Sequence, residues 1–216
     1  MATSPGFVHL DVHTEFSLVD SVVRIPELVA AAAAAGMPAV AMTDRTNLFG
    51  LVKFYRAALA AGVKPIVGAE LRCADPALLP EPARLVVLCR NAAGYRNLCR
   101  LVTRAWLEGQ QAGQPVVQLD WFAGAADGLI ALSGGPDGGL GGTVLGQGER
   151  GPAARLAARL AEYFGGDLFV QVQRTGRSGE DEHLEAAVAL ADRLGLPLVA
   201  TNDVRFLAPG DFDAHE

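Results

Sequence analysis

The sequence predicts an α/β fold in a single domain, with seven strands arranged as a TIM-like barrel. A chain of 216 residues suits one such barrel, which takes roughly 200–250 residues. Short β-branched runs alternate with longer stretches of helical periodicity, a pattern typical of parallel strands joined by crossover helices. Polar residues able to bind metal follow several of the strands. Only a closed barrel brings all of those strand ends to one face, whereas an open doubly wound sheet, the alternative, spreads them along a line.

The strands are predicted where four or five apolar residues, many of them β-branched, form a short run. They cover residues 8–12, 39–43, 65–69, 85–89, 129–132, 168–172 and 197–201. Each run is too short for a helix and is bounded by polar residues, Gly or Pro.

The helices are predicted where apolar residues recur with a period near 3.6, and several of them stop at a Gly, the usual residue just past a helix end. They cover residues 25–35, 48–61, 95–106, 152–164 and 181–194. Residues 107–128 and 134–151 carry Gly, Gln and Pro without periodicity, so long loops are expected there.

The composition excludes several classes of protein. A formal net charge of −6 gives no basic surface for nucleic acid, so the chain alone is expected to bind DNA poorly. The longest apolar stretch, residues 28–43, is interrupted by Gly36 and Pro38 and is too short to span a membrane. The first residues do not resemble a secretory signal, so a cytoplasmic location is expected. The three cysteines show no ligand spacing and are predicted to be reduced structural thiols.

The polar residues at the strand ends are the first candidates for a site. His13 follows the first predicted strand, Asp44 the second and Glu70 the third, while Asp203 lies two residues beyond the last. Carboxylates and imidazoles are ligands for divalent metals. Taken by itself, His13 is also compatible with a structural histidine, and the segment of residues 44–47 with a simple helix cap.

Three segments resemble the motifs of the PHP (polymerase and histidinol phosphatase) family: residues 7–20 (FVHLDVHTEFSLVD), 36–50 (GMPAVAMTDRTNLFG) and 64–70 (KPIVGAE). Residues 91–98 (NAAGYRNL), 128–135 (GLIALSGG) and 199–206 (VATNDVRF) continue the match and are similar to segments of proteobacterial DNA polymerase III alpha subunits. The sequence therefore resembles the amino-terminal PHP domain of that replicative polymerase family, whose fold is a distorted (β/α)7 barrel.

This resemblance implies a setting for the chain. Residues 1–216 would be a PHP domain cut from a much longer polymerase, because residues 211–216 resemble the point where those polymerases continue into the palm. The parent would synthesise DNA with Mg²⁺, while this domain needs no cofactor of its own. Its partners would be the remainder of the polymerase chain and the proofreading exonuclease subunit. DNA would be contacted through the parent only, and no membrane is involved.

The resemblance also implies a metal site that is no longer complete. Active members hold a trinuclear cluster for phosphoester hydrolysis, bound by His, Asp, Glu and Cys side chains. This sequence keeps five of the ligand positions: His13, Asp20, Asp44, Glu70 and Asp203. At the other five, ligands are replaced by Asp11, Arg45, Arg84, Gly135 and Arg205.

Arginine at three of these positions predicts loss of the metal and of catalysis. A guanidinium group has no lone pair to donate, but its fork suits carboxylates. We therefore expect no catalytic residue and no metal, with Arg45, Arg84 and Arg205 forming salt bridges to the retained carboxylates. The alternatives are an active metal-dependent phosphoesterase or exonuclease of the PHP type and, less compatible with the polymerase-like segments, a free-standing phosphatase. His183, in an acidic stretch, is predicted to be solvated.

Overall fold

The computed structural model describes residues 6–141 and 151–211, which divide into two units. Unit 1 comprises residues 1–69 and 201–216, and unit 2 comprises residues 70–200.

Unit 1 begins with a 3-10 helix, Glu15–Asp20, and continues with α1 (Ile25–Ala34), β1 (Ala39–Met42), α2 (Leu51–Ala60) and the first residues of β2 (Lys64–Ala74). Strand β1 pairs in parallel with the start of β2, with Ala39 opposite Lys64. The core is aliphatic apart from a few large side chains, among them Phe54 and Met42. It fixes the chain on either side of the site described below.

Unit 2 contains the remaining elements in this order: β3 (Ala83–Cys89), α3 (Ala92–Glu108), β4 (Gln110–Gln111), β5 (Gln114–Pro115), β6 (Val117–Gln118), β7 (Leu129–Leu132), α4 (Pro152–Phe164), β8 (Leu168–Val172), α5 (Glu180–Leu194) and β9 (Leu198–Ala200). Strands β7 and β8 pair in parallel, as do β8 and β9 and as do β2 and β6. Strands β4 and β5 form a short hairpin.

Two predicted features of the sheet are wrong. The strands are not all parallel, because β3 pairs with β7 in the antiparallel sense, Val86 lying opposite Leu132. Both strands are continuous apolar runs, and a strand that is apolar on both faces carries no sign of its direction. The regions predicted as loops also contain β4 to β6 and 3-10 turns at Leu119–Gly124 and Gly135–Asp137. Residues 142–150 of the second predicted loop lie outside the described residues.

The first predicted strand, residues 8–12, is also wrong, for a reason specific to one side chain. Its carbonyls do approach β1, since Ala41 N donates to His9 O and Thr43 N to Val12 O, both at 2.9 Å. The amide of Val12, however, donates to Thr43 Oγ1 at 2.8 Å. The Thr43 hydroxyl thus accepts the hydrogen bond that a backbone carbonyl would accept in a regular sheet. The segment forms only an isolated parallel bridge, between Val12 and Val204.

Helix α3 begins three residues earlier than predicted because Asn91 caps it, its side chain accepting from the amides of Ala93 and Gly94. Gly94 is required there: a Cβ at this position would lie 1.8 Å from the carbonyl oxygen of Gly128. Asn97 Nδ2 donates to Asp127 O at 2.9 Å on the same side. The segment NAAGYRNL therefore packs the start of α3 closely against the turn that precedes β7.

His183 is buried rather than solvated, with 4% of its surface exposed. Positions 180, 183 and 187 of α5 form one face, and the carboxylate of Glu180 turns back to accept the amides of Thr175, Gly176 and Arg177. The acidic composition therefore misled the prediction, and burial lowers the pKa of His183.

None of the helices described is long and apolar enough to cross a membrane. Cys73, Cys89 and Cys99 are free thiols, and burial raises the pKa of Cys89 to about 12.

Candidate functional site

Three segments of unit 1 meet after Val12, after β1 and after Thr201, and backbone bonds fix two of them together. His13 N donates to Val204 O at 3.0 Å, and Val204 N donates to Asp11 O at 3.1 Å. Ser21 Oγ joins the same segments, since it lies 2.8 Å from the carbonyl oxygen of His13 and 3.0 Å from that of Arg205. Residues about 190 positions apart along the chain are thereby held in register, and their side chains project from a fixed backbone.

Asp44 is fully buried and serves the loop that precedes α1. Its Oδ1 accepts from the amide of Thr14 at 2.6 Å and from Ser17 Oγ at 2.7 Å, and its Oδ2 accepts from Thr14 Oγ1 at 2.8 Å. Three of roughly four acceptor positions of a carboxylate are thus filled by the protein itself. This retained ligand position now organises a loop.

Asp20 lies at the centre of the charged network. Its Oδ2 receives His13 Nδ1 and Arg205 Nη1, and its Oδ1 receives Arg45 Nη2 at 2.8 Å. Burial by itself raises the pKa of Asp20, but the hydrogen bond from His13 and the charges of Arg205 and Arg45 outweigh it and hold the pKa below its usual value. Asp20 is therefore ionised at neutral pH and needs its cationic partners.

Arg205 connects Asp20 to a second carboxylate. Its Nε donates to Asp203 Oδ1 at 2.9 Å while its Nη1 contacts Asp20, and only 9% of its side chain is exposed. The Asp203 side chain is 4% exposed. The predicted salt bridges of Arg45 and Arg205 are therefore confirmed, although Arg45 pairs with Asp20 and not with the neighbouring Asp44.

Unit 2 contains the third predicted arginine pair. Arg84 Nε lies 2.6 Å from Glu70 Oε2, with both side chains almost fully buried. Because Glu70 belongs to unit 2, its sharing of one face with the other retained residues stays a prediction.

Gly135 stands where the resemblance places a cysteine ligand. Its φ is +62°, and a Cβ would lie 2.9 Å from Gln173 Oε1. The positive φ disfavours any side chain here, so a thiolate cannot be regained without local rearrangement of the backbone.

Sequence reasoning located the charged residues but missed the hydroxyls. Thr14, Ser17 and Ser21 supply the hydrogen bonds that position Asp44 and the backbone of His13. Thr14 and Ser17 lie in the first motif, between His13 and Asp20, and Ser21 directly follows it. Three hydroxyl residues within eight positions were the feature of the sequence that could have indicated this role. Asp11, at a substituted position, is fully buried.

The side chains present do not fit a trinuclear metal cluster. Within residues 6–141 and 151–211, no group of three or more His, Cys, Asp or Glu side chains is arranged to hold a metal ion. The chemistry of the donors agrees, because the carboxylates of Asp20, Asp203 and Glu70 are bound to guanidinium groups that already supply positive charge.

Comparison with known proteins gives a consistent result. The family model described as "PHP domain" matches residues 9–175. The chain is 51% identical over 211 residues to the DNA polymerase III subunit alpha of Pseudomonas aeruginosa, covering 98% of this chain and 18% of that protein. It is 46% identical over 214 residues to the Escherichia coli K12 subunit of the same name, again covering 18% of the relative. The chain thus spans less than a fifth of the length of these relatives.

Two solved structures share the fold. A protein from Bifidobacterium adolescentis, assigned as a metal-dependent phosphoesterase, has a TM-score of 0.58 at 15% identity, with 92% of this chain and 87% of that chain covered. An amidohydrolase from Chromobacterium violaceum has a TM-score of 0.60 at 16% identity, with coverage of 94% and 88%. Likeness at this level of identity concerns the fold alone, and it confirms the predicted fold class.

Proposed function

Because the chain belongs to the PHP domain family, we propose that it is the non-catalytic PHP module of the alpha subunit of a bacterial replicative DNA polymerase. The relatives that support this are 41–51% identical and carry the name DNA polymerase III subunit alpha. In this proposal residues 1–216 are part of a longer chain, and the rest of that chain synthesises DNA with Mg²⁺ in the cytoplasm.

The network around Asp20 is the observation that carries the non-catalytic assignment. A metal cluster would need the lone pairs of Asp20 and Asp203, yet both carboxylates are paired with Arg205. Two-metal hydrolysis also needs an open position for water beside the ions. Because guanidinium groups occupy the oxygens of Asp20 and Asp203, we assign these two carboxylates a structural role.

A structural module needs surfaces on which other protein can pack, and α2 presents one. Val52, Tyr55 and Leu59 lie along one face of this helix and are 65%, 47% and 57% exposed, and Phe49 just before the helix is 67% exposed. Contiguous exposed apolar surface of this kind is typical of protein interfaces. It supports our proposal that the module contacts the remainder of the polymerase and the proofreading exonuclease subunit.

The competing candidate is an active metal-dependent phosphoesterase, which the likeness to the Bifidobacterium protein would favour. The two candidates differ in one measurable respect, namely hydrolysis. We predict that the purified chain hydrolyses neither a generic phosphomonoester nor single-stranded DNA in the presence of Mn²⁺, Zn²⁺ or Mg²⁺. The assay follows phosphate or nucleotide release over hours.

The matched control for that assay is His13→Ala, which removes the retained imidazole. Any trace activity from contaminating enzymes should be equal in the wild type and in the variant. Turnover that disappears both with a chelator and with His13→Ala would show a working site and would overturn the non-catalytic assignment.

A further inference from the structure

The outer surface of α3 carries a row of three arginines that the site described above does not use. Arg96, Arg100 and Arg104 are spaced four residues apart and are all exposed. Side chains at this spacing are neighbours on a helix, with roughly 5–6 Å between their Cβ atoms. These residues, called the arginine row below, form a continuous cationic strip that extends over roughly 12 Å of the helix.

The arginine row has more positive than negative charge. Arg104 Nε lies 2.8 Å from Glu108 Oε2, and Arg100 Nη1 donates to the neutral Asn97 Oδ1 at 3.4 Å. Within the part of the chain that the structure describes, neither Arg96 nor Arg100 has a carboxylate in ion-pair contact.

Three other arginines of unit 2 each pair with one acid: Arg90 with Asp167, Arg159 with Glu162 and Arg174 with Asp181, all within 2.9 Å. The row is thus a local cationic surface on a chain whose formal net charge is −6. Such a surface favours a polyanion.

An aromatic surface borders the row. The Arg104 guanidinium lies 4.0 Å from the centroid of the Trp121 ring and covers it. Beside them is a depression of about 330 Å³, lined by Arg100, Arg104, Trp121 and Asp120 among others. A planar guanidinium supported by an indole ring offers a stacking surface for a base. The carboxylate of Asp120 can accept an N–H group of a base but repels phosphate, so a bound strand would place its bases, not its backbone, on this side.

We propose that the arginine row binds the phosphates of a single-stranded nucleic acid, with a base stacked in the depression at Trp121. A row of this length contacts two or three phosphates, and a base can reach the stacking surface only when it is free of a duplex. The choice of nucleic acid over an acidic peptide rests on the proposed function, which places the chain in a DNA polymerase. The row adds a weak contact and does not make the chain a tight DNA binder.

The test measures binding of fluorescently labelled oligodeoxythymidine to the 216-residue chain by anisotropy, at several salt concentrations. For single strands, log Kobs falls with log salt with a slope of roughly 0.7 per neutralised phosphate. Two or three contacts therefore give the wild type a slope of about −1.4 to −2.1. The double variant Arg96→Ala/Arg100→Ala removes two contacts and should make the slope shallower by about 1.4, with weaker binding at low salt.

The matched control is Arg155→Ala/Arg193→Ala, which removes the same charge from exposed positions of α4 and α5. It should bind as the wild type does. Equal affinity and slope in the row variant and the wild type would overturn the proposal. So would binding of an oligoglutamate peptide by a wild type that fails to bind oligodeoxythymidine. Failure here would leave the hydrolysis assay unaffected, so it is distinguishable from failure of the proposed function.

Discussion

At the scale of single residues, Arg205 links two carboxylates of the candidate site. It contacts both Asp20 and Asp203 from a position that is 9% exposed. Where two carboxylates share a buried arginine, loss of the arginine leaves their charges desolvated and facing each other. The main role of Arg205 is thus to neutralise the buried carboxylates of Asp20 and Asp203.

We predict that Arg205→Ala lowers the free energy of unfolding by about 3–5 kcal/mol, the usual cost of breaking a buried pair. For a domain of this size about 1 kcal/mol moves Tm by roughly 2–4 °C, so the loss is visible in a thermal melt. Lys53→Ala is the control, because Lys53 pairs with Glu15 at 2.8 Å but is 50% exposed. An exposed pair contributes under about 1 kcal/mol. Equal, small shifts for both variants would contradict the account.

The charged residues of the site were predictable, but their pairing was only partly so. The resemblance to the PHP motifs singled out Arg45 and Arg205, and residue type predicted carboxylate partners for them. Arg45 pairs with Asp20 and not with its sequence neighbour Asp44. Asp44 turns to Thr14 and Ser17 instead. Hydroxyl donors have no characteristic spacing in a sequence, and only the folded loop brings them together.

At the scale of secondary-structure elements, helix ends and apolar strands could be predicted. Strand direction could not, nor could the replacement of a backbone hydrogen bond by one to a side chain. Residues 152–164 and 168–172 match α4 and β8 as predicted. The antiparallel pairing of β3 with β7 depends on how the intervening chain returns, which composition does not encode. The bond from Val12 N to Thr43 Oγ1 depends on one rotamer.

Docking of α3 through Gly94 gives the prediction at this scale. In a helix Ala is normally better than Gly by about 1 kcal/mol. A Cβ at Gly94 would nevertheless lie 1.8 Å from Gly128 O, so the helix must move away from its neighbour. We expect Gly94→Ala to lower the free energy of unfolding by about 1–3 kcal/mol in denaturant melts, as overpacking does.

Gly166→Ala serves as the control for that variant, since a Cβ there meets nothing within 4 Å. It should be neutral or slightly stabilising. If Gly94→Ala were as stable as Gly166→Ala, close docking of α3 would not be the reason for the glycine.

At the scale of the whole molecule, the chain combines the family fold with arginine–carboxylate pairs at positions that the resemblance assigns to metal ligands. The PHP model matches residues 9–175, and the polymerase relatives match 98% or more of the chain. Alternating strands and helices predicted the fold class, and the motifs predicted the family. The division into two units has no counterpart in the composition, because no linker separates them in the sequence.

The central claim is that arginine–carboxylate pairs, rather than metal ions, stabilise the positions that the family uses for its cluster. A metal bound only to the folded state would stabilise it by mass action, and a chelator would remove that stabilisation. The most direct measurement is therefore a thermal melt of the wild-type chain after exhaustive chelation, compared with the untreated chain and with the chain supplied with Zn²⁺ or Mn²⁺. The account predicts the same Tm in all three samples; a fall of several degrees on chelation, restored by added metal, would contradict it.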